Sequence, residues 1–249
     1  MEFSGPSHWK PSPAVKSQSK AEAKQTDYSK EPVVIERFVM RTAFENDGTW
    51  SREMESAVKM QSEAGVQQYG LLMFGYSSSN DKIEIGYVRV RKRDGSVIVT
   101  PPENIQDTAS EVTRTAPMYS DYREKHVAVK ALGIGDTLEY QVHFQEVKAL
   151  IPGQFWTDYN FTRNMIILDE QLEISVPKSR DLNLKSPEVK PVVTENGERR
   201  VYSWKTRTSS ACLRRSKRKR TERTKTGRRL QFNSPPSRAG TNWHVGGER

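Results

Sequence analysis

The sequence predicts an all-β chain: an antiparallel β-sandwich between a disordered polar N-terminal segment and a disordered basic C-terminal tail. Three observations carry this reading. Apolar and polar residues alternate with period two through most of residues 33–205. The alternating runs are separated by Asn-Asp-Gly, Asp-Gly and Asn-Gly turns, whose residues tolerate positive φ. The charge also breaks near Thr206: residues 1–206 carry a net −2 and residues 207–249 a net +11, which together make the chain's +9.

The elements follow in order. In Val33–Phe44 the residues Val34, Phe38, Met40 and Phe44 share a face. Asn46-Asp47-Gly48 turns that run into Trp50–Met60, where Trp50, Met54, Val58 and Met60 alternate with Glu53, Glu55 and Lys59. Ser62–Gln68 reads as a short turn; no segment shows sustained helical spacing. Lys82–Lys92 alternates Ile83, Ile85 and Tyr87 with charged neighbours, and Asp94-Gly95 returns it into Ser96–Thr100. His126–Leu132 passes through Gly133-Ile134-Gly135-Asp136 into Thr137–Val147, with Leu138, Tyr140, Val142 and Phe144 on one face. Gln171–Val176 alternates again, and Val192–Val193 and Val201–Trp204 flank Asn196-Gly197. Every predicted strand ends by Lys205. Strands of this regularity, joined by hairpins, imply a sandwich.

Both ends are rich in Ser, Lys, Arg and Pro and hold too little apolar surface to offset the entropy of ordering. The domain reading is therefore 1–30 disordered, 31–206 a β-sandwich and 207–249 a basic disordered tail. No apolar run approaches the ~20 residues that cross a bilayer, and Met1–Lys30 lacks the apolar core of a secretory signal. As written, the chain is expected in the cytoplasm. The single cysteine, Cys212, leaves no partner for an intramolecular disulfide and no Cys-based zinc site.

The candidate motifs are weak. Gly133-Ile134-Gly135-Asp136 lacks the third Gly and the Lys-Ser/Thr of a phosphate loop and reads as a tight turn. His126 and His143 have no further ligand at metal spacing, so no metal or cofactor is expected. Asp169 and Glu170 are adjacent, point to opposite faces of a strand and read as solvated charges. Two aromatic stretches stand out: Met118, Tyr119 and Tyr122 in one, Phe155, Trp156 and Tyr159 in the other. They form a candidate surface for a ligand or a neighbouring domain; the bland reading makes Phe155, Trp156 and Tyr159 core residues of an irregular strand. Arg214–Arg220 is a basic run of the kind that binds polyanions, without interleaved aromatics.

Several of these motifs also carry a resemblance. Gln61-Ser62-Glu63-Ala64-Gly65-Val66-Gln67-Gln68, Tyr87-Val88-Arg89-Val90-Arg91-Lys92, Asn104-Ile105-Gln106-Asp107, Gly135-Asp136-Thr137-Leu138-Glu139-Tyr140 and Pro152-Gly153-Gln154-Phe155-Trp156 occur in this order. Over residues 28–205 the chain resembles bacterial domain-of-unknown-function family 3857, the β domain that precedes a transglutaminase-like domain in larger exported proteins. The resemblance implies a β-sandwich, a downstream catalytic domain as partner, and a periplasmic or envelope setting as the alternative to the cytoplasm. No catalytic residue carries over. The chain departs from the family at both ends, without an export signal and with a basic tail. Shifting the reading frame of Gln231–Glu248, with codons chosen to suit, recovers a Thr-Thr-Phe-Lys-Ser-Trp run expected of the family. The tail is accordingly read as out of frame and the chain as a truncated member.

Three functions compete at this point. The first is a non-catalytic accessory module that positions the downstream domain or binds an envelope polypeptide. The second is polyanion or nucleic-acid binding through the tail, without sequence specificity. The third is a carbohydrate- or peptide-binding sandwich.

Overall fold

The computed structural model describes residues 28–115, 121–161, 165–186 and 189–207, and the backbone of 228–233. Strands β1 (Val33–Phe44) and β2 (Trp50–Met60) form the predicted hairpin. Its turn is held by Asp47 Oδ1, which accepts from the Thr49 amide at 2.9 Å and the Thr49 hydroxyl at 2.7 Å. Helix α1 (Glu63–Tyr69) follows, so the segment read as a turn makes two helical turns. Ser62 caps it by accepting from the Gly65 amide at 3.4 Å, satisfying one of the amides a helix leaves free at its start. Then come β3 (Leu71–Ser77), β4 (Asp81–Arg91), β5 (Val97–Val99), β6 (Ile105–Ala109), α2 (Val112–Thr115), β7 (Tyr122–Ala128) and β8 (Thr137–Glu146). The chain continues through β9 (Trp156–Phe161), β10 (Glu170–Pro177), β11 (Asn183–Lys185), β12 (Val192–Asn196) and β13 (Arg199–Thr206). One strand lies beyond the boundary drawn from the sequence: the backbone of Arg228–Asn233 forms β14.

The fold is all-β. An eight-stranded sheet runs β12-β13-β10-β1-β2-β8-β4-β5, with two three-stranded sheets, β3-β7-β6 and β11-β14-β9. Among the described strands every pairing is antiparallel except β1 with β10, which the expectation of hairpins alone did not include; an isolated parallel bridge of Ile35 with Ile167 lies beside it. The β8-to-β10 connection brings the chain back beside β1 in the same direction, with Leu168 donating to the Ile35 carbonyl at 2.9 Å.

Register explains why one face of the large sheet is apolar. Directly paired residues share a face, and the pairings align Val58, Leu138 and Val90, then Met54, Val142 and Ile85. Extra residues at Glu36 in β1 and Gly86 in β4 bulge these strands. Without the Glu36 bulge, Val33 and Ile35 would fall on the face opposite Met40 and Phe44. The apolar face carries two cores. Val58, Met60, Val90, Leu138 and Val142 pack with Leu72, Phe74 and Val127 of the β3-β7-β6 sheet. Met40, Phe44, Leu172, Ile174, Tyr202 and Trp204 pack with Phe155 and Phe161 beside and on β9.

The other face is a ladder of charges. Arg41 reaches Glu53 at 2.5 Å and Glu55 at 3.2 Å, while Glu139 receives Arg89 at 2.8 Å and Arg91 at 2.9 Å. This face lets Arg and Glu alternate with buried Val and Met, the pattern visible in the sequence. Glu170 corrects the reading of it as a solvated charge. It shares its face with Leu172, Ile174 and Val176, is fully buried, and accepts from the Tyr159 and Thr206 hydroxyls at 2.8 Å each.

Candidate functional site

The chain gathers its loops at one end of the sandwich. The β1–β2 turn, the β3–β4 turn and the long β8–β9 connection meet there. Val147 donates to the Asn80 carbonyl at 2.7 Å, and Gly153 donates to the Asp47 carbonyl at 2.6 Å. Gly48 makes the second approach possible. Its φ is +95°, and a Cβ there would meet the Gln154 carbonyl oxygen at 2.7 Å. The β8–β9 loop is thus seated on the first hairpin across a long stretch of sequence.

This seating builds a cavity of about 150 Å³ lined by Gly48, Trp50, Glu146, Leu150, Gln154, Phe155 and Trp156. Phe155 is buried and stacks on Phe44 at 4.3 Å between ring centroids. Trp156, the next residue along an extended chain, points the other way and is 49% exposed; Leu150 is 69% exposed. Val147 and Ile151 extend the exposed apolar surface. Arg52 lies 4.9 Å from the Trp50 ring centre and bonds the hydroxyls of Thr42 at 3.1 Å and Thr157 at 3.4 Å. Burial lowers its pKa. Arg180 lies 5.8 Å over Phe155 and donates to the Gly153 carbonyl.

Glu146 is the cavity's carboxylate. Its pKa is raised, first by burial and then by the charge of Asp81 and, more weakly, of Asp47; the Leu150 amide and the Trp50 side chain pull it back down. Among the described residues no Lys or Arg pairs with it.

The structure divides the six residues that the sequence put forward. Phe155 is a core residue, and Tyr159 is half-buried with its hydroxyl committed to Glu170. Burial and the Glu170 charge push the Tyr159 pKa upward. Trp156 is on the surface. Tyr122 opens β7 and packs its hydroxyl over the bare backbone of Gly75. Met118 and Tyr119 lie outside the described residues, as do Cys212 and Arg214–Arg220. Trp50, Glu146 and Leu150 were not singled out from the sequence. Two apolar residues in the middle of a loop, Leu150-Ile151, were the available signal.

The remaining motifs have structural partners. Gly133–Asp136 is a turn whose Gly133, Gly135 and Asp136 amides are spent within the chain. Gly133 donates to Asp136 Oδ2 at 2.8 Å and Gly135 to the Met60 carbonyl at 2.7 Å, while Lys92 reaches Asp136 at 2.5 Å. In the β6–β7 region Ser110 and His126 both bond Glu124, at 2.6 and 2.9 Å. The carboxylate thus sits between hydroxyl and imidazole, whereas an activated nucleophile needs the imidazole between them. A second cleft of about 540 Å³ is lined by side chains of both charge signs, among them Asp81, Lys82, Glu84 and Lys125.

Residues 46–211 match the family described as Domain of Unknown Function with solved-structure structure, DUF3857. The chain belongs to this family. The match begins in the β1–β2 turn and includes every residue that lines the aromatic cavity. The DUF3857 chain is also similar to a crystal structure described as a "putative protease" from Parabacteroides distasonis ATCC 8503, with a TM-score of 0.71 at 17% identity. That similarity covers 82% of this chain and 41% of the other. An M1 zinc metallopeptidase from Deinococcus radiodurans aligns over 82% of this chain and 42% of its own, at TM-score 0.43 and 8% identity. This chain therefore spans about two fifths of the length of both. No curated protein matches it. Among the described residues no helix is long and apolar enough to cross a membrane.

Proposed function

We propose that this DUF3857 chain is a non-catalytic β-sandwich accessory module. In full-length relatives it precedes a transglutaminase-like domain, and it positions that domain or binds an envelope polypeptide through its loop end. The observation that carries this reading is the apolar surface on the β8–β9 connection, where Val147, Leu150, Ile151 and Trp156 are each 45% exposed or more. Apolar side chains grouped on a loop over a rigid sheet mark an interaction site more often than a fold requirement. The fold-level likeness to a chain about twice as long supports a module that works beside other parts of a polypeptide.

The test adds the transglutaminase-like domain of a full-length relative to this chain and follows amide hydrogen exchange. Residues 147–156 are expected to gain protection, and Trp156→Glu to abolish it. No protection at millimolar domain, or protection confined to the outer charged face, overturns the reading. The chain alone is expected to lack acyl-transfer activity, because such chemistry needs a thiolate activated by a positioned His. Turnover lost on Cys212→Ser would make it an enzyme.

A further inference from the structure

The loop-end cavity sets the Glu146 carboxylate beside an indole open to solvent. Glu146 has no Lys or Arg partner among the described residues, and Asp81 and Asp47 add negative charge around it. Half-buried carboxylates are stabilised by a cation brought to them. Two of the cavity's three rings already face guanidinium groups of the chain itself, Trp50 with Arg52 and Phe155 with Arg180. Among the described residues no guanidinium or ammonium faces the third ring, Trp156. At about 150 Å³ the cavity has room for one side-chain-sized group. Leu150 lies on its wall, where a methylene stem would pack.

We infer that this cavity takes the ammonium end of a lysine side chain presented by a polypeptide. Glu146 is its counter-charge, Trp156 its aromatic wall and Leu150 the surface under its stem. The inference rests on the reading that the loop end docks a polypeptide, and it names the side chain recognised there. A neutral sugar would stack on Trp156 equally well but would bring no counter-charge to Glu146, the carboxylate of the cavity's lining. The larger cleft gives no such direction, because its lining carries both signs.

The experiment titrates the full chain with Nα-acetyl-lysine methylamide and follows the indole N–H resonance of Trp156, assigned with Trp156→Phe. Acetyl-norleucine methylamide keeps the stem without the charge; choline supplies a free quaternary ammonium, and methyl glucoside a neutral sugar. Saturable binding of the lysine amide on the order of millimolar is expected. It should weaken at least about fivefold for the norleucine amide and for Glu146→Gln. Unchanged melting of Glu146→Gln, or a higher one, shows that the variant is folded. Equal binding of the norleucine amide, undiminished binding by Glu146→Gln, or preference for choline or the glucoside overturns the inference. If the lysine amide fails to bind while residues 147–156 are still protected by the catalytic domain, this inference falls and the docking reading stands.

Discussion

Glu146 is held where burial and two neighbouring carboxylates outweigh the hydrogen bonds that the Leu150 amide and the Trp50 side chain give its charge. A carboxylate whose folded pKa lies above its unfolded value of about 4.3 destabilises the protein at neutral pH. That penalty is fully present above the folded pKa and is lost as pH falls through the unfolded one. Glu146→Gln is therefore expected to raise the melting temperature at pH 7, with the gain shrinking toward pH 4. Groups of this kind cluster where binding, not stability, selected them. A lower melting temperature for Glu146→Gln at pH 7 would make Glu146 an ordinary structural residue and remove its claim to a ligand. Tyr159 and Glu170 show the opposite economy. Both were visible as polar residues in the sequence, yet they satisfy each other at 2.8 Å under the second core.

At the scale of elements, the charged ladder and the apolar face are two sides of one alternation. Glu139 lies between Arg89 and Arg91 on the outer face of β4 and β8. Burial opposes its charge, but hydrogen bonds from both arginines outweigh it and hold its pKa below the usual range. The sign is now reversed: this stability exists above the unfolded pKa of about 4.3 and disappears as pH falls through the folded one. Glu139→Gln is expected to lose about 0.5–1 kcal/mol at pH 7, the range of half-exposed pairs, and nothing near pH 2. Urea denaturation at the two pH values measures it; an equal loss at both would point to packing instead of charge. Strands with one wet face, β1, β2, β4, β8, β10 and β13, were legible because their period of two is long, broken only by single bulges in β1 and β4. Strand β9 keeps the same period, with Phe161 buried and Trp156, Asp158 and Asn160 exposed, but it is short and follows Pro152-Gly153. The α1 helix was hidden because seven residues hold too few turns to show a 3.6 period. The cavity was illegible for a different reason. It exists only because Gly48 lets the first hairpin seat a loop a hundred residues away, and no local pattern records that contact.

For the whole molecule the open question is what closes the second core. Composition alone ends the domain at Thr206, since residues 207–249 are strongly basic and poor in apolar side chains. The backbone places Arg228–Asn233 as the central strand between β9 and β11, paired with β9 along its full length. In RRLQFN, Leu230 and Phe232 are the period-two apolar pair within the otherwise basic stretch. Removing β14 would leave β9 and β11 with unpaired edges, and β9 carries Tyr159 and Phe161 over Leu172 and Trp204. Truncation after Arg207 is therefore expected to cost about 2 kcal/mol or more, the scale of exposing one large apolar side chain. Urea denaturation of full and truncated chains in about 0.3 M salt reads this with the tail's charge largely screened. The same cut takes away the excess positive charge, so polyanion binding should vanish with it and, in the full chain, should fall steeply with salt without preferring any sequence. Equal stability of the two chains would mean that β14 does not hold β9, and that the sandwich closes its second core with residues up to Arg207 alone.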